Sequence, residues 1–160
     1  MIPARPASAA RTLHIGAAAV WLGLIWFVNF IQLPVIGAAN DADRGAIVRL
    51  VVPHVAATFH MAAHLTLISG ALLMLLPSGA AAFSGGGLRA AALWLALAGG
   101  VAMWAVVQFG IVPRVAVLTD PSATPDAKAR AVSLIRLLAR ANLALSVPVT
   151  ALMIAAAHLH

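Results

Sequence analysis

The sequence predicts an all-α integral membrane protein, in which residues 1–160 form a single domain built as a bundle of four transmembrane helices. Hydrophobic residues make up 63% of the chain and charged residues 9%, whereas soluble proteins average about 25% charged residues. The charged residues are clustered, which leaves uncharged runs at 12–40, 50–88, 90–113 and 141–160. A helix needs roughly 20 apolar residues to cross a bilayer, so each run can hold one span.

We predict the four spans at residues 12–34, 50–76, 90–113 and 135–158. The first is too long for a removable signal peptide and has no small-residue cleavage site directly behind it, so we expect a retained helix. The second uncharged run is longer than one span requires. Its end, "PSGAAAFSGGG" at 77–87, contains proline and clustered glycines, which predict a turn between spans 2 and 3.

Basic residues predict the orientation of the bundle. The side with the 1–2 and 3–4 connections carries Arg44, Arg49, Arg114, Lys128, Arg130, Arg136 and Arg140, and the other side carries Arg5, Arg11 and Arg89. By the positive-inside rule, the two connections are cytoplasmic and both termini lie outside. The net charge of +6 therefore indicates topology and contact with anionic membrane lipid. We expect no nucleic-acid partner, because no binding motif accompanies the charge.

The residue types that are missing narrow the chemistry. The chain has no cysteine, which excludes disulfides, Cys-ligated iron–sulfur clusters, covalently attached c-type haem and thiolate copper sites. Its four carboxylates, Asp41, Asp43, Asp120 and Asp126, fall in the predicted connections. A redox cofactor would therefore depend on imidazole or thioether ligands.

Six histidines become the informative residues: His14, His54, His60, His64, His158 and His160. An ionisable side chain within a membrane marks a candidate functional site, but a neutral imidazole can also be an interhelical hydrogen-bonding group. Both interpretations stay open for each histidine. His54 follows Pro53 at the start of a span and His160 is the last residue, so we expect both at the membrane–water interface.

Spacing sorts the remaining histidines. At a rise of about 1.5 Å per residue, His14 and His158 lie level with each other near the outer ends of spans 1 and 4. His60 and His64 are spaced i, i+4 and share a face of span 2. Met103 of span 3 lies level with His64, which makes a His–Met pair conceivable, although methionine in a helix is more often a space-filling core residue. Trp21 lies beneath His14, about 340° around the helix.

A second polar group gathers toward the predicted cytoplasmic side: Asn29, Gln32, Gln108, Arg140 and Asn142. These side chains come from three spans and predict either a polar cavity that could bind an anion or interhelical hydrogen bonds that fix the bundle. Trp26, Trp94 and Trp104 lie inside spans rather than at their ends, unlike an aromatic belt. Their flat rings suit a flat aromatic cofactor, and they equally suit ordinary packing.

Several of these sequence segments carry a family resemblance. "LHIGAAAVWLG" at 13–23 fits the pattern H-x6-W-x-G in a first span, which resembles the opening helix of copper-resistance D domains, HemJ-type protoporphyrinogen oxidases and the membrane domain of membrane-bound urate oxidases. Three further segments favour the urate oxidase domain: "NFIQLP" at 29–34, "AMWAVVQFGIVPRVAVL" at 102–118 and "RANLALSVPVTALMIAAAH" at 140–158.

The resemblance to the urate oxidase domain implies a small integral-membrane redox protein that is associated with haem. With the topology and the histidines, we expect a multi-pass protein of the bacterial inner membrane with periplasmic termini that binds haem b and exchanges electrons with a separate donor or acceptor. We expect a homo-oligomer or a subunit of a redox complex, and if the protein is an enzyme, it is an oxidoreductase. Its motif positions are Trp21, Asn29, Gln32, Arg140, Asn142, Ser146 and Pro148, with His14 and His158 as the matching histidines. Those oxidases have a longer membrane domain and an appended cytochrome c, whereas the sequence here predicts four spans and contains no cysteine.

Candidate cofactor-binding residues are therefore His14, His60, His64, His158, Trp21, Arg140 and Asn142, with His14, His64 and His158 as candidate metal ligands. The "FHMAAH" of span 2 at 59–64 is not a urate oxidase feature. It supports a rival hypothesis of a copper-handling protein similar to the copper-resistance D group, in which His60, His64 and Met61, Met74 or Met103 bind Cu(I). A third hypothesis is a cofactor-free accessory subunit of a larger membrane complex.

Overall fold

A computed structural model describes residues 6–159 of the chain, and every regular element in this range is helical. The all-α prediction is confirmed. Four helical segments in the described range are long and apolar enough to cross a membrane: span 1 at Ala7–Ala38, span 2 at Asp41–Leu75, span 3 at Gly87–Thr119 and span 4 at Pro125–His158. The chain is thus a multi-pass membrane protein by length and composition.

Most spans consist of more than one helical piece. Span 1 contains α1 (Pro6–Phe27), a π-helical turn (Val28–Gln32) and α2 (Leu33–Ala38), and span 2 contains α3 (Asp41–Leu50) and α4 (Val52–Leu75). The short helix α5 (Pro77–Ser84) connects spans 2 and 3. Span 3 contains α6 (Gly87–Ala105), a second π-helical turn (Val106–Ile111) and α7 (Val112–Thr119). Span 4 is the single helix α8 (Pro125–His158).

The helices extend further than the predicted spans, most of all beside the two connections. Hydropathy detects only the apolar part of a helix, whereas the helix itself begins at its N-terminal capping residue, several residues before the apolar part. Asn40 caps α3 by accepting the backbone N–H of Asp43 at 2.9 Å. Thr124 caps α8 in the same way at Ala127, and Pro125 follows at a position that suits its missing N–H. The capped first turns add charged residues outside the apolar core.

The predicted turn at 77–87 is only partly correct. Pro77 starts α5, since proline is tolerated in the first turn of a helix. The chain reverses after it at Gly86 and Gly87, whose φ angles of 71° and 70° favour glycine. The glycines therefore form the turn, and the preceding alanine-rich segment is helical.

The bundle consists of two antiparallel hairpins. The most extensive helix contacts join α1 to α4 in the first hairpin, and α6 to α8 in the second. The core between the hairpins includes Trp21, Ile25, Phe59, Ala62, Ala63, Met103 and Val107. In the second hairpin the backbones approach closely at Gly99, where a Cβ would overlap the Cγ2 of Val149.

Spans 1 and 3 share a local irregularity. Each contains an amide residue, a phenylalanine and, four residues after the phenylalanine, a proline: "NFIQLP" at 29–34 and "QFGIVP" at 108–113. Because proline has no N–H, the carbonyl of the phenylalanine loses its helical partner. The residue before each proline instead closes an i to i−5 bond, from Leu33 to Val28 and from Val112 to Val107. The two hairpins therefore carry matching π-helical turns.

Arginines stabilise the end of the bundle where spans 1 and 2, and spans 3 and 4, are joined; we call it the basic end. Arg44 forms an ion pair with Asp41 at 3.1 Å and donates to the carbonyl oxygens of Ile36 and Ala39. Arg114 donates to the carbonyl oxygens of Phe109 and Gly110, at 3.1 and 2.7 Å. The Phe109 carbonyl freed by Pro113 therefore has a partner.

Candidate functional site

His14 is held against the neighbouring span. Its half-buried ring places Nδ1 2.9 Å from the carbonyl oxygen of Thr66 and 3.3 Å from the hydroxyl oxygen of Ser69, both on α4. A carbonyl can only accept, so Nδ1 carries the proton and Nε2 keeps its lone pair. The ring fits there because residue 70 is glycine: a Cβ would lie 3.0 Å from the Cε1 of His14.

This contact distinguishes His14 from three other histidines. The Nδ1 atoms of His54, His64 and His158 bond to carbonyl oxygens four residues earlier in their own helices, Leu50, His60 and Ile154. Those bonds are local and follow from helix geometry. The ring of His14 is instead fixed between two helices. A histidine that binds a metal through one ring nitrogen is usually held in this way, by a hydrogen bond from its other nitrogen.

Trp21 faces the same helix as His14, as the seven-residue spacing predicts. Its ring packs edge-on against Phe59 of α4, with the ring centroids 6.5 Å apart. Trp21 is buried, and its indole nitrogen has no hydrogen-bond partner among residues 6–159. Trp26 and Trp94, by contrast, are about half exposed on the outside of the bundle. Trp21 is thus the tryptophan of the core.

His60 and His64 lie side by side on α4, as their spacing predicts, with ring centroids 5.8 Å apart. The Nε2 of His64 accepts the indole N–H of Trp104 at 3.4 Å, and the two rings meet edge to face. The lone pair of His64 is therefore already engaged. The Nε2 of His60 is buried and has no hydrogen-bond partner in the described part of the chain.

The structure does not pair His14 with His158. His14 bonds to span 2, whereas His158 is exposed and bonds to its own helix. Matching depth was the basis of the predicted pair, but depth does not specify which face of a helix points inward. His160 lies outside the described residues.

The predicted polar layer is divided in the structure. Asn29 donates to the carbonyl oxygens of Ile25 and Ala139 at 2.8 and 3.2 Å, which joins spans 1 and 4. Asn142 is buried, and its Oδ1 has no hydrogen-bond partner within the described range of the chain. Arg140 is exposed. Of the five residues, Gln32 alone lines the cavity between the spans. The five side chains therefore do not form the polar, anion-binding cavity that was one of the two predictions. The hydrogen bonds of Asn29 support the other prediction, that these residues join the helices.

That cavity lies in the half of the bundle nearer the basic end and has a volume of about 100 Å³. Residues from all four spans line it, including Val28 and Gln32 of the first π-helical turn, and Val107 and Ile111 of the second. His60 is its second polar lining residue. Such π-helical turns within α-helices are frequent at functional sites. His14 is not part of this wall, so the molecule has two separate candidate sites.

Metal-ligating side chains are dispersed. Within residues 6–159, no three His or Asp side chains form a group that could hold a metal ion. Met61 is 59% exposed, and Met103 is buried in the core, so these thioethers lie in different environments. A metal ion bound at His14 would need further ligands, either from another chain or, if the metal is haem iron, from the porphyrin ring.

Sequence reasoning missed the residues that hold His14. Thr66, Ser69 and Gly70 are small or hydroxyl-bearing residues on one side of α4. Such residues allow close helix approach in membranes, and their clustering in "TLISG" at 66–70 was the available signal. Phe59, which packs on Trp21, carries no comparable signal.

The fold and its two sites define a four-helix integral membrane protein. No protein-family model, curated protein or solved structure matches the chain. The urate oxidase resemblance therefore stays a prediction, and the geometry of the sites carries the functional argument.

Proposed function

We propose that the protein is a redox protein of the bacterial inner membrane that binds haem b, with His14 as an axial ligand. The observation that carries the proposal is the imidazole of His14, fixed by Thr66 with its Nε2 lone pair free. Neutral imidazole is a common axial ligand of haem iron. A carbonyl acceptor on Nδ1 fixes the tautomer and raises the basicity of the other nitrogen.

The room around His14 limits where a haem can lie. Ligand pockets usually enclose about 300–1,000 Å³, and the cavity of about 100 Å³ does not include His14. The exposed apolar side chains of Leu13 and Ile15 flank the histidine. The donor atom therefore fits haem iron, and the macrocycle would lie on the outside of the first hairpin, covered by another subunit.

A second copy of the chain is the proposed source of the second ligand. His14 of each copy would hold the same haem iron, as the symmetry of a closed dimer permits. Bound haem supplies reversible one-electron transfer. The chain's own contribution is to orient His14 through Thr66 and Ser69 and to exclude water with apolar neighbours. The proposal predicts one haem per two chains and a low-spin spectrum.

A haem assay on the detergent-purified protein tests this function. We expect a Soret band and a pyridine haemochrome signal that His14→Ala abolishes. His54→Ala and His158→Ala are matched controls, because both remove an imidazole bonded only to its own helix. Circular dichroism would confirm that each variant is folded. A folded His14→Ala variant with the haem content of the wild type would overturn the proposal, and a colourless wild type would favour the accessory-subunit hypothesis.

A further inference from the structure

The cavity near the basic end is narrow, elongated and almost entirely apolar. It extends from Val52 to His60 along span 2 and from Val107 to Leu118 along span 3. At about 1.5 Å per residue, it is roughly 12 to 16 Å long. Its lining side chains are apolar except for Gln32 and His60. No lysine or arginine belongs to this lining, so it does not suit an anionic headgroup.

Neither polar side chain of the wall has a hydrogen-bond partner in the described part of the chain. Gln32 is 8% exposed, and its side chain makes no hydrogen bond to residues 6–159. The Nε2 of His60 is buried and likewise has no partner in the described residues. A buried polar group without a hydrogen bond is costly, and native proteins pair most such groups. Neither side chain is used for hydrogen bonding between the described helices, so both are available to a ligand in the cavity.

The two groups lean toward each other along the cavity. Spans 1 and 2 are antiparallel, with His14 beside Ser69 and Trp21 beside Phe59. This register separates Gln32 from His60 by roughly 13 to 18 Å along the bundle axis. Side chains on a helix tilt toward its N-terminus, which for span 1 is away from the basic end and for span 2 is toward it. The side chains therefore close part of the gap from opposite ends.

We propose that this cavity binds the ring of an isoprenoid quinone. A quinone is a flat six-membered ring with oxygens at opposite ends and an apolar tail, and it dissolves in the bilayer that surrounds the bundle. The amide N–H of Gln32 donates to one oxygen, and the Nε2–H of His60 donates to the other. An apolar protein cavity of roughly 150 Å³ binds benzene, so a ring of this size needs only a small opening of the helices.

The inference concerns binding and does not depend on haem. Gln32 and His60 line a cavity that excludes His14, and no electron transfer between the two sites is part of the proposal. His14→Ala should leave quinone binding unchanged. Loss of haem with retained quinone binding, or the reverse, therefore separates the two proposals.

Equilibrium binding of a decyl-substituted 1,4-benzoquinone to the purified full-length chain in detergent tests the site. We expect saturable binding that is tighter than that of decylbenzene, which lacks the oxygens. Gln32→Leu should weaken it by about 3- to 10-fold, the range for one lost hydrogen bond. Gln108→Leu is the matched control, because it removes an amide from span 3 that does not line the cavity. It should change the affinity less than twofold.

Two further measurements keep the test decisive. Gln32→Leu removes an amide that makes no side-chain hydrogen bond in the described residues, so its melting temperature should equal or exceed that of the wild type, which excludes misfolding as the cause of weaker binding. Ala56→Phe, which fills the wall of the cavity, should abolish binding. Equal affinity for decylbenzene and the quinone, tighter binding of palmitate than of the quinone, or unchanged binding in Gln32→Leu would each overturn the proposal.

Discussion

The Nδ1 atom of His14 lies 2.9 Å from the carbonyl oxygen of Thr66. This contact joins spans 1 and 2 near the end of the bundle that carries the two chain termini, opposite the basic end. A histidine bonded to a carbonyl of another helix cannot rotate without losing a hydrogen bond in an apolar environment, where the loss is costly. The contact therefore fixes one tautomer and one ring orientation. The size of the residues that pack against the ring determines whether it can keep this position.

Gly70→Ala should displace the His14 ring. The new Cβ would lie 3.0 Å from the Cε1 of His14 and 3.3 Å from its Nδ1, closer than ordinary contact. We expect about 1–3 kcal/mol of destabilisation from overpacking, together with lower haem content. Gly16→Ala is the control, because a Cβ there meets no heavy atom within 4 Å. Equal haem content and stability in the two variants would contradict this account.

His64→Gln should leave bound haem unchanged. The Nε2 of His64 already accepts the N–H of Trp104 at 3.4 Å, so it is not free to bind iron. Interhelical hydrogen bonds in membranes contribute about 0.6 kcal/mol on average, and we expect a loss of stability of that order. Absorption spectra and thermal unfolding in detergent provide the check. Bleaching of the Soret band in a folded His64→Gln variant would return span 2 to the haem site.

The close approach of spans 3 and 4 predicts a difference between adjacent glycines. A Cβ at Gly99 would overlap the Cγ2 of Val149, a stiff β-branched side chain, whereas a Cβ at Gly100 meets nothing within 4 Å. Gly99→Ala should therefore destabilise the bundle by about 1–3 kcal/mol. Gly100→Ala should be neutral or stabilising by up to about 1 kcal/mol. The ranking of their thermal midpoints is the measurement, and the double variant Gly99→Ala/Val149→Ala should recover part of the loss.

Hydropathy predicted the number and order of the spans because each uncharged run is long enough to cross a bilayer. Helical spacing also predicted that His14 and Trp21 share a face and that His60 lies beside His64, since residues on one helix have a fixed angular relation. These relations lie within single helices. They need no knowledge of how the helices pack.

Relations between helices could not be predicted in the same way. Arg140 and His158 have suitable depths for inward sites, but both side chains are exposed. Depth follows from residue number, whereas the inward face depends on the crossing of two helices and on small residues such as Gly70. The π-helical turns add a second difficulty, because each inserted residue rotates the rest of its helix by about 100°. The cavity lining therefore required the structure.

The orientation of the bundle is also a prediction, and it determines on which side of the membrane the two proposed sites lie. Seven basic residues lie beside the two connections and three lie on the side of the termini, so the basic end should be cytoplasmic. A reporter that is active only in the periplasm should be active when fused after His160 and inactive when fused after Thr119. The reverse pattern would move His14 to the cytoplasmic side and the cavity to the periplasmic side. Replacing Arg44, Arg49, Arg114 and Arg136 with glutamine should increase the fraction of inverted molecules, because it removes the charge bias while leaving the apolar spans unchanged.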